Sequence, residues 1–111
     1  FGCGGDRDKH KRSVMLDVVS KNSDFVIITS DNPRNETFDE ITKDMLSNSS
    51  NDEIKRYFIV EDREQAIKLG CTLSIQKKSL LLVAGKGHEK IQEKNGIKTP
   101  FDDKKIIIKY S

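Results

Sequence analysis

Apolar residues fall into two kinds of pattern along this chain. Three short runs are continuously apolar and rich in β-branched residues: Phe25–Thr29 (FVIIT), Tyr57–Val60 (YFIV) and Leu80–Ala84 (LLLVA). None alternates polar with apolar positions. Strands of that kind suit a sheet covered on both faces, usually a parallel one. Between them, apolar residues recur at helical spacings of three and four. Val14, Met15, Val18 and Val19 form one stripe; Phe38, Ile41, Met45 and Leu46 form a second. Ala66, Leu69, Gly70 and Leu73 form a third, with Ile67 and Cys71 beside it. A polar loop, Ser47–Asp52, separates the second helix from the strand after it. The order loop, helix, strand, helix, strand, helix, strand predicts an α/β domain with a largely parallel sheet. The C-terminal segment admits two readings. Lys94–Lys98 (KNGIK) holds an Asn-Gly signal for a short hairpin. Ile106–Tyr110 (IIIKY) reads as a strand by propensity, or as the start of a helix capped by Asp102 or Asp103.

Composition narrows the class. A length of 111 residues allows one domain. Hydrophobic and charged residues each make up 34%, so a modest core sits inside a heavily charged surface. The 20 Lys and Arg are offset by 18 Asp and Glu and spread along the chain, leaving +2. That argues against a nucleic-acid partner. Two cysteines, Cys3 and Cys71, with no C-x-x-C, make neither a disulfide framework nor a zinc site, and free thiols suit a reducing cytoplasm. The run LLLVA is far short of a membrane span. FGCGGDRDK lacks the apolar stretch of a signal peptide. No metal site and no membrane partner are expected.

The unusual chemistry lies in four loops that a parallel sheet brings to one edge, where the carboxyl ends of its strands face ligands. The first is Gly2–Arg12 (GCGGDRDKHKR), provided that a strand stands in front of it. It matches neither G-x-x-x-x-G-K-[ST] nor G-x-G-x-x-G, so it is no nucleotide P-loop or dinucleotide fingerprint. Its bland reading is a flexible turn followed by solvated charges. The second is Ser30–Glu36 (SDNPRNE). Asn32-Pro33 sets a turn that holds Arg34 near the start of the second helix. A guanidinium there can grip a carboxylate with two hydrogen bonds, and Asp31 can receive an ammonium. The bland reading is an ordinary Asn-Pro turn with a capping side chain. The third, Glu61–Glu64 (EDRE), reads most simply as a helix N-terminus. The fourth, Gly85–Lys90 (GKGHEK), lets backbone approach a ligand at two glycines, with Lys86, His88 and Glu89 adding charge and donors. A histidine beside a glutamate is more often a surface hydrogen-bond partner than a catalytic base.

Taken together, FGCGGDRDKHKR, TSDNPRNE, DREQAI and LLLVAGKGHEKIQ…FDD resemble the C-terminal domain of the Mur ligases, in particular the UDP-N-acetylmuramoyl-tripeptide synthetases. The resemblance covers essentially the whole chain, with its motifs in the family's order. It implies a Rossmann-like three-layer α/β domain with a mostly parallel sheet, cut at its N-terminal end. Residues 1–111 would be the amino-acid-binding domain, with the UDP-sugar and ATP-binding domains lying ahead of it. The chain would then begin at the end of a strand, and alone it is expected to have no ligase activity and no catalytic residue. The resemblance implies a cytoplasmic, ATP- and Mg2+-dependent ligase of peptidoglycan synthesis, with both held mainly by the central domain. ATP phosphorylates the carboxylate of UDP-MurNAc-L-Ala-D-Glu, and the amino group of a diamino acid attacks the acyl phosphate.

Residue by residue, the resemblance assigns the diamino acid to Arg7, to Asp31, Asn32, Pro33 and Arg34, and to Gly85 and Glu89. Asp6 and Lys9 would face the nucleotide. Arg7 and Arg34 can pair with carboxylate, while Glu89, Asp31 and the Gly85 carbonyl can accept from ammonium. Arg34 favours meso-diaminopimelate over L-lysine or L-ornithine. Lysine lacks the distal carboxylate and would leave a guanidinium partly unpaired, at a cost of about 2–5 kcal/mol. His10 and Ser13 depart from the family, where many relatives carry glycine and proline. The resemblance continues FDD into a C-terminal helix starting near Asp102, although the β-branched run is a poor helix by propensity. Two rivals remain: a non-catalytic small-molecule-binding α/β module, and another amide ligase with the same domain, such as folylpolyglutamate synthetase. A P-loop encoded upstream of Phe1 would separate the ligases from the module.

Overall fold

Four of the five helices begin at a residue whose side chain caps them; the first, which starts after Lys9, does not. In the computed structural model, which describes residues 1–111, the elements run α1 (His10–Lys21), β1 (Val26–Ile28), α2 (Phe38–Leu46), α3 (Asn51–Ile54), β2 (Tyr57–Ile59), α4 (Arg63–Gln76), β3 (Ile91–Lys94), β4 (Ile97–Pro100) and α5 (Asp103–Tyr110). Thr37 accepts the Glu40 N–H to open α2, and Asp62 accepts the Gln65 N–H to open α4. Asp102 accepts from Lys104 and Lys105 and opens α5. The expected polar loop ends early, because Ser50 and Glu53 form a reciprocal capping box that starts α3 inside it.

β1 and β2 pair in parallel, with Val26 opposite Tyr57 and Ile28 opposite Ile59. Val26 and Ile28 point into a core with Cys3, Leu16 of α1, and Phe38, Ile41 and Met45 of α2. Ile27 points the other way, toward Gly70 of α4, where Leu81 also packs. Helices therefore cover both faces, as the unbroken apolar strands predict. β3 and β4 form a separate antiparallel hairpin around Asn95 and Gly96, whose φ angles of 52° and 76° match the turn that Asn-Gly favours.

Three expectations change. The α/β class stands, but the sheets are small: one parallel pair and one antiparallel pair. Leu80–Ala84 belongs to no ladder, and Leu80 and Leu82 are 97% and 82% exposed. It is held by Leu81 over Gly70 and by the Ala84 carbonyl, which accepts from Arg63. α1 forms as predicted but buries Arg12, Leu16 and Ser20, leaving Val14, Met15 and Val18 exposed. Polar partners decide that face: Arg12 bonds Glu36 and Asp44, and Ser20 bonds Arg56 and Glu53. IIIKY is helical, because tertiary contacts outweigh β propensity. Asp103 pairs with Arg63, and Lys109 and Tyr110 both meet Glu64.

Candidate functional site

Three of the four loops converge on one rim. The glycine turn docks on the Asn-Pro corner through the Gly5 N–H, which donates to the Asn32 carbonyl at 2.8 Å. A Cβ at Gly5 would overlap the Pro33 carbonyl, so only glycine allows this approach. A Cβ at Gly4 would lie 2.9 Å from Arg34 Nη1 and 3.3 Å from Arg7 Cγ. The two arginines expected to meet a carboxylate therefore flank the same residue. Gly85, at φ +113°, faces the Gly2 carbonyl and the Asp31 carboxylate, with Asp31 Oδ2 3.9 Å from where its Cβ would be. Asn32 Nδ2 donates to Glu89 Oε2 at 3.5 Å. Arg7, Arg34, Asp31, Gly85 and Glu89 thus belong to one cluster. Asn32 and Pro33 are buried at its base.

The two arginines differ in freedom. Arg7 is exposed and makes no hydrogen bond within the chain. Arg34 has φ +52°, a left-handed conformation that costs a non-glycine residue about 1–2 kcal/mol and needs support. β3 supplies it. The Arg34 N–H donates to the Glu93 carbonyl at 3.0 Å, and the Asn95 N–H donates to the Arg34 carbonyl at 2.7 Å. Gln92 Nε2 donates to the Asp31 carbonyl, and the Glu93 N–H donates to Asn32 Oδ1. The hairpin, legible in the sequence only as a turn signal, grips the Asp31–Arg34 corner along its length.

Lys86 departs from its expected place among the ligand-facing charges. It is 2% exposed and ties the two loops together from within. Its Nζ donates to Asn32 Oδ1 and to the Ile91 carbonyl, both at 2.9 Å. It also stands 2.9 Å from Asp31 Oδ1, paired in distance but not aligned as a hydrogen bond. One oxygen of Asp31 therefore serves an internal ammonium, and Oδ2 remains on the Gly85 side. Asp6 and Lys9 turn toward the other flank. Asp6 Oδ2 accepts from Asn35, and Lys9 Nζ lies 3.8 Å from Glu36. His88 is exposed.

Two buried arginines that sequence reasoning missed hold the rim in place. Arg12 donates to Glu36 at 2.6 and 3.0 Å, to Asp44 at 2.8 Å and to the Gly4 carbonyl at 3.0 Å. The Arg12 guanidinium holds the Glu36 carboxyl at about 2, far below its ordinary 4.5. Arg63 makes a two-pronged bond to Asp103, 2.8 Å on each arm, and also donates to the Ser30 and Ala84 carbonyls. The third loop is thus a capped helix start, as read, whose arginine points inward. A separate cleft of ≈ 610 Å³ between the hairpin and the loops after β1 and β2 includes Pro33 and Gln92 but neither Arg7 nor Glu89. Convergent charge, rather than cavity size, locates the site.

Two backbone donors of the glycine turn are committed within the chain. The Gly5 N–H is spent on Asn32, and the Asp6 N–H on Glu36 at 2.6 Å. What the rim offers is paired charge of both signs, suited to a zwitterion.

Comparison with known proteins identifies the family. Residues 1–87 match the family described as Mur ligase, glutamate ligase domain. The chain belongs to the Mur ligase family. It is 49% identical over 106 residues to a UDP-N-acetylmuramoyl-L-alanyl-D-glutamate--2,6-diaminopimelate ligase of Cytophaga hutchinsonii, and 49% identical over 106 residues to that of Phocaeicola vulgatus. Against the Rickettsia typhi ligase it is 44% identical over 110 residues. These matches cover 96%, 96% and 99% of this chain but only 22% of each relative. A solved structure of a ligase of the same name superposes with a TM-score of 0.90 at 39% identity, over 99% of this chain and 22% of that one. This Mur ligase segment thus corresponds to a fifth of its relatives' length, and it shares their fold there.

Proposed function

We propose that this chain is the C-terminal, amino-acid-binding domain of an ATP-dependent ligase that adds meso-diaminopimelate to UDP-MurNAc-L-Ala-D-Glu in peptidoglycan synthesis. The observation that carries this reading is the single rim on which Arg7, Arg34, Asp31, Gly85 and Glu89 meet. The names of its relatives give that rim a substrate whose side chain ends in both an ammonium and a carboxylate. Arg7 and Arg34 take the carboxylate. Glu89, Asp31 Oδ2 and the Gly85 carbonyl take the ammonium, and Asn32 and Pro33 fix the corner.

UDP-sugar and ATP-binding domains precede the segment in this reading. Two features support it. The Phe1 nitrogen donates to the Ile27 carbonyl at 2.9 Å, and the Thr29 N–H donates to the Phe1 carbonyl at 3.0 Å, so residues ahead of Phe1 would run beside β1. Leu80–Ala84 would gain a partner from the same strand, completing a Rossmann-like three-layer domain with a mostly parallel sheet. ATP with Mg2+ activates the acceptor carboxylate from the central domain. This segment binds and orients the attacking amine. Lys9 is 66% exposed and can reach the nucleotide on closure, whereas the Asp6 carboxylate is occupied by Asn35. The enzyme works in the cytoplasm, where its nucleotide substrates are made. No helix here is long and apolar enough to cross a membrane.

The test is Arg34→Ala in the full-length protein, assayed with meso-diaminopimelate, L-lysine and L-ornithine. The wild type should use meso-diaminopimelate, and the variant should lose most of that use, by at least about 30-fold. Undiminished use of meso-diaminopimelate without Arg34 would refute the assignment. Wild-type preference for lysine or ornithine would replace the substrate.

A further inference from the structure

We infer that Glu93 is a specificity-determining residue: its carboxylate competes with the substrate carboxylate for one edge of Arg34. The inference rests on the binding role proposed above and deepens it.

A guanidinium offers two edges for a two-pronged bond, Nη1 with Nη2 and Nε with Nη2. In this protein Nη1 is committed. It donates to the Gly5 carbonyl at 2.9 Å and to the Asn32 carbonyl at 3.4 Å. Only the Nε–Nη2 edge is left for an incoming carboxylate. Glu93 Oε2 stands on that edge, 3.6 Å from Arg34 Nε. The Arg34 and Glu93 side chains are 19% and 28% exposed, so the edge opens to solvent rather than into the core.

The separation exceeds hydrogen-bond reach, and ion pairs at such half-open positions are weak. Glu93 is therefore a displaceable partner rather than a lock. A ligand carboxylate must replace it, and its apparent affinity falls by the fraction of time that Glu93 occupies the edge. A ligand with no distal carboxylate leaves Glu93 in place, and Arg34 is not stranded. Glu93 thus narrows the gap between diaminopimelate and lysine that Arg34 alone would open. Its position on β3 makes this independent of folding. The contacts that hold the corner use the Glu93 backbone, its N–H to Asn32 Oδ1 and its carbonyl from the Arg34 N–H. A glutamine keeps them.

The experiment compares the full-length wild type with Glu93→Gln, measuring KM and kcat for meso-diaminopimelate and for L-lysine with the other substrates saturating. The KM for meso-diaminopimelate should fall about three- to fivefold, the span of a weak ion pair. The KM for lysine and both kcat values should stay put. An unchanged or raised KM for meso-diaminopimelate overturns the competitor role, as does an equal fall for both substrates. If the wild type uses lysine and not meso-diaminopimelate, the substrate reading fails and Glu93 loses its rival. An unaltered ratio in an enzyme that does use meso-diaminopimelate sinks the Glu93 inference alone.

Discussion

Arg63 and Arg34 both touch the loop after β1, Arg63 at the Ser30 carbonyl and Arg34 at the Asn32 carbonyl, in regions built for different ends. Around Arg63, four of the five N–H donors are used inside the protein: two meet Asp103, and two reach the Ser30 and Ala84 carbonyls. The Arg63 and Asp103 side chains are 1% and 8% exposed. Around Arg34 the balance is left open. Nη1 is anchored, Nε has a loose partner, and neighbouring Arg7 is unbonded in solvent. A buried guanidinium with nearly all its donors used holds elements together, whereas one with a free edge on a fixed backbone can recruit a ligand. Residue type does not separate the two cases; the count of satisfied donors does.

The contrast breaks most visibly at Arg63. Arg63→Met strands the buried Asp103 carboxylate and should cost about 3–5 kcal/mol, read from denaturant unfolding of the full-length protein. A loss below about 1 kcal/mol would mean that Asp103 finds water, and that the Arg63 region is no clamp.

Arg7→Ala should behave oppositely. Stability should change by no more than about 0.5 kcal/mol, because nothing in the chain bonds the side chain. Binding of meso-diaminopimelate should weaken about 10- to 100-fold, the scale of one charge-assisted hydrogen bond. Calorimetric titration and a melting curve on the same sample give both numbers. A destabilised variant with normal binding would move Arg7 to the structural side.

The smallest effect sharpens the comparison at Glu36, which belongs to the clamps although it borders the rim. Its folded pKa of about 2 lies below its ordinary 4.5. The stabilisation from its pairing with Arg12 is therefore full above about pH 4.5 and disappears as pH falls toward about 2. Glu36→Gln should melt lower than the wild type at neutral pH, and the two curves should approach each other below pH 4.5. A gap that stays constant down to the acid limit would detach the effect from ionisation.

Much of the fold was legible because its signals are local. FVIIT and YFIV became paired strands, and the second and third apolar stripes became α2 and α4. The α1 stripe misled because Val14, Met15 and Val18 stay exposed, while Arg12, Leu16 and Ser20 are buried and Val19 packs against the core. LLLVA has the composition of a strand, but a ladder also needs a neighbour. At the site, the glycine turn, Asp31–Arg34 and Gly85–Glu89 were recognisable by residue type. Lys86 was not recognisable as buried, since two flanking glycines make it look exposed. Nothing near Glu93 in the chain points to Arg34, which is 59 positions away by residue number.

The sequence by itself determined which segments turn, cap and bury, because those choices depend on a few adjacent residues. It also specified the kinds of charge the loops carry. Only the tertiary structure decided which charges remain available. Lys86, Arg12 and Arg63 are consumed inside the protein, while Arg7 and one edge of Arg34 stay open. That division depends on partners brought together from distant parts of the chain, so no local pattern could encode it.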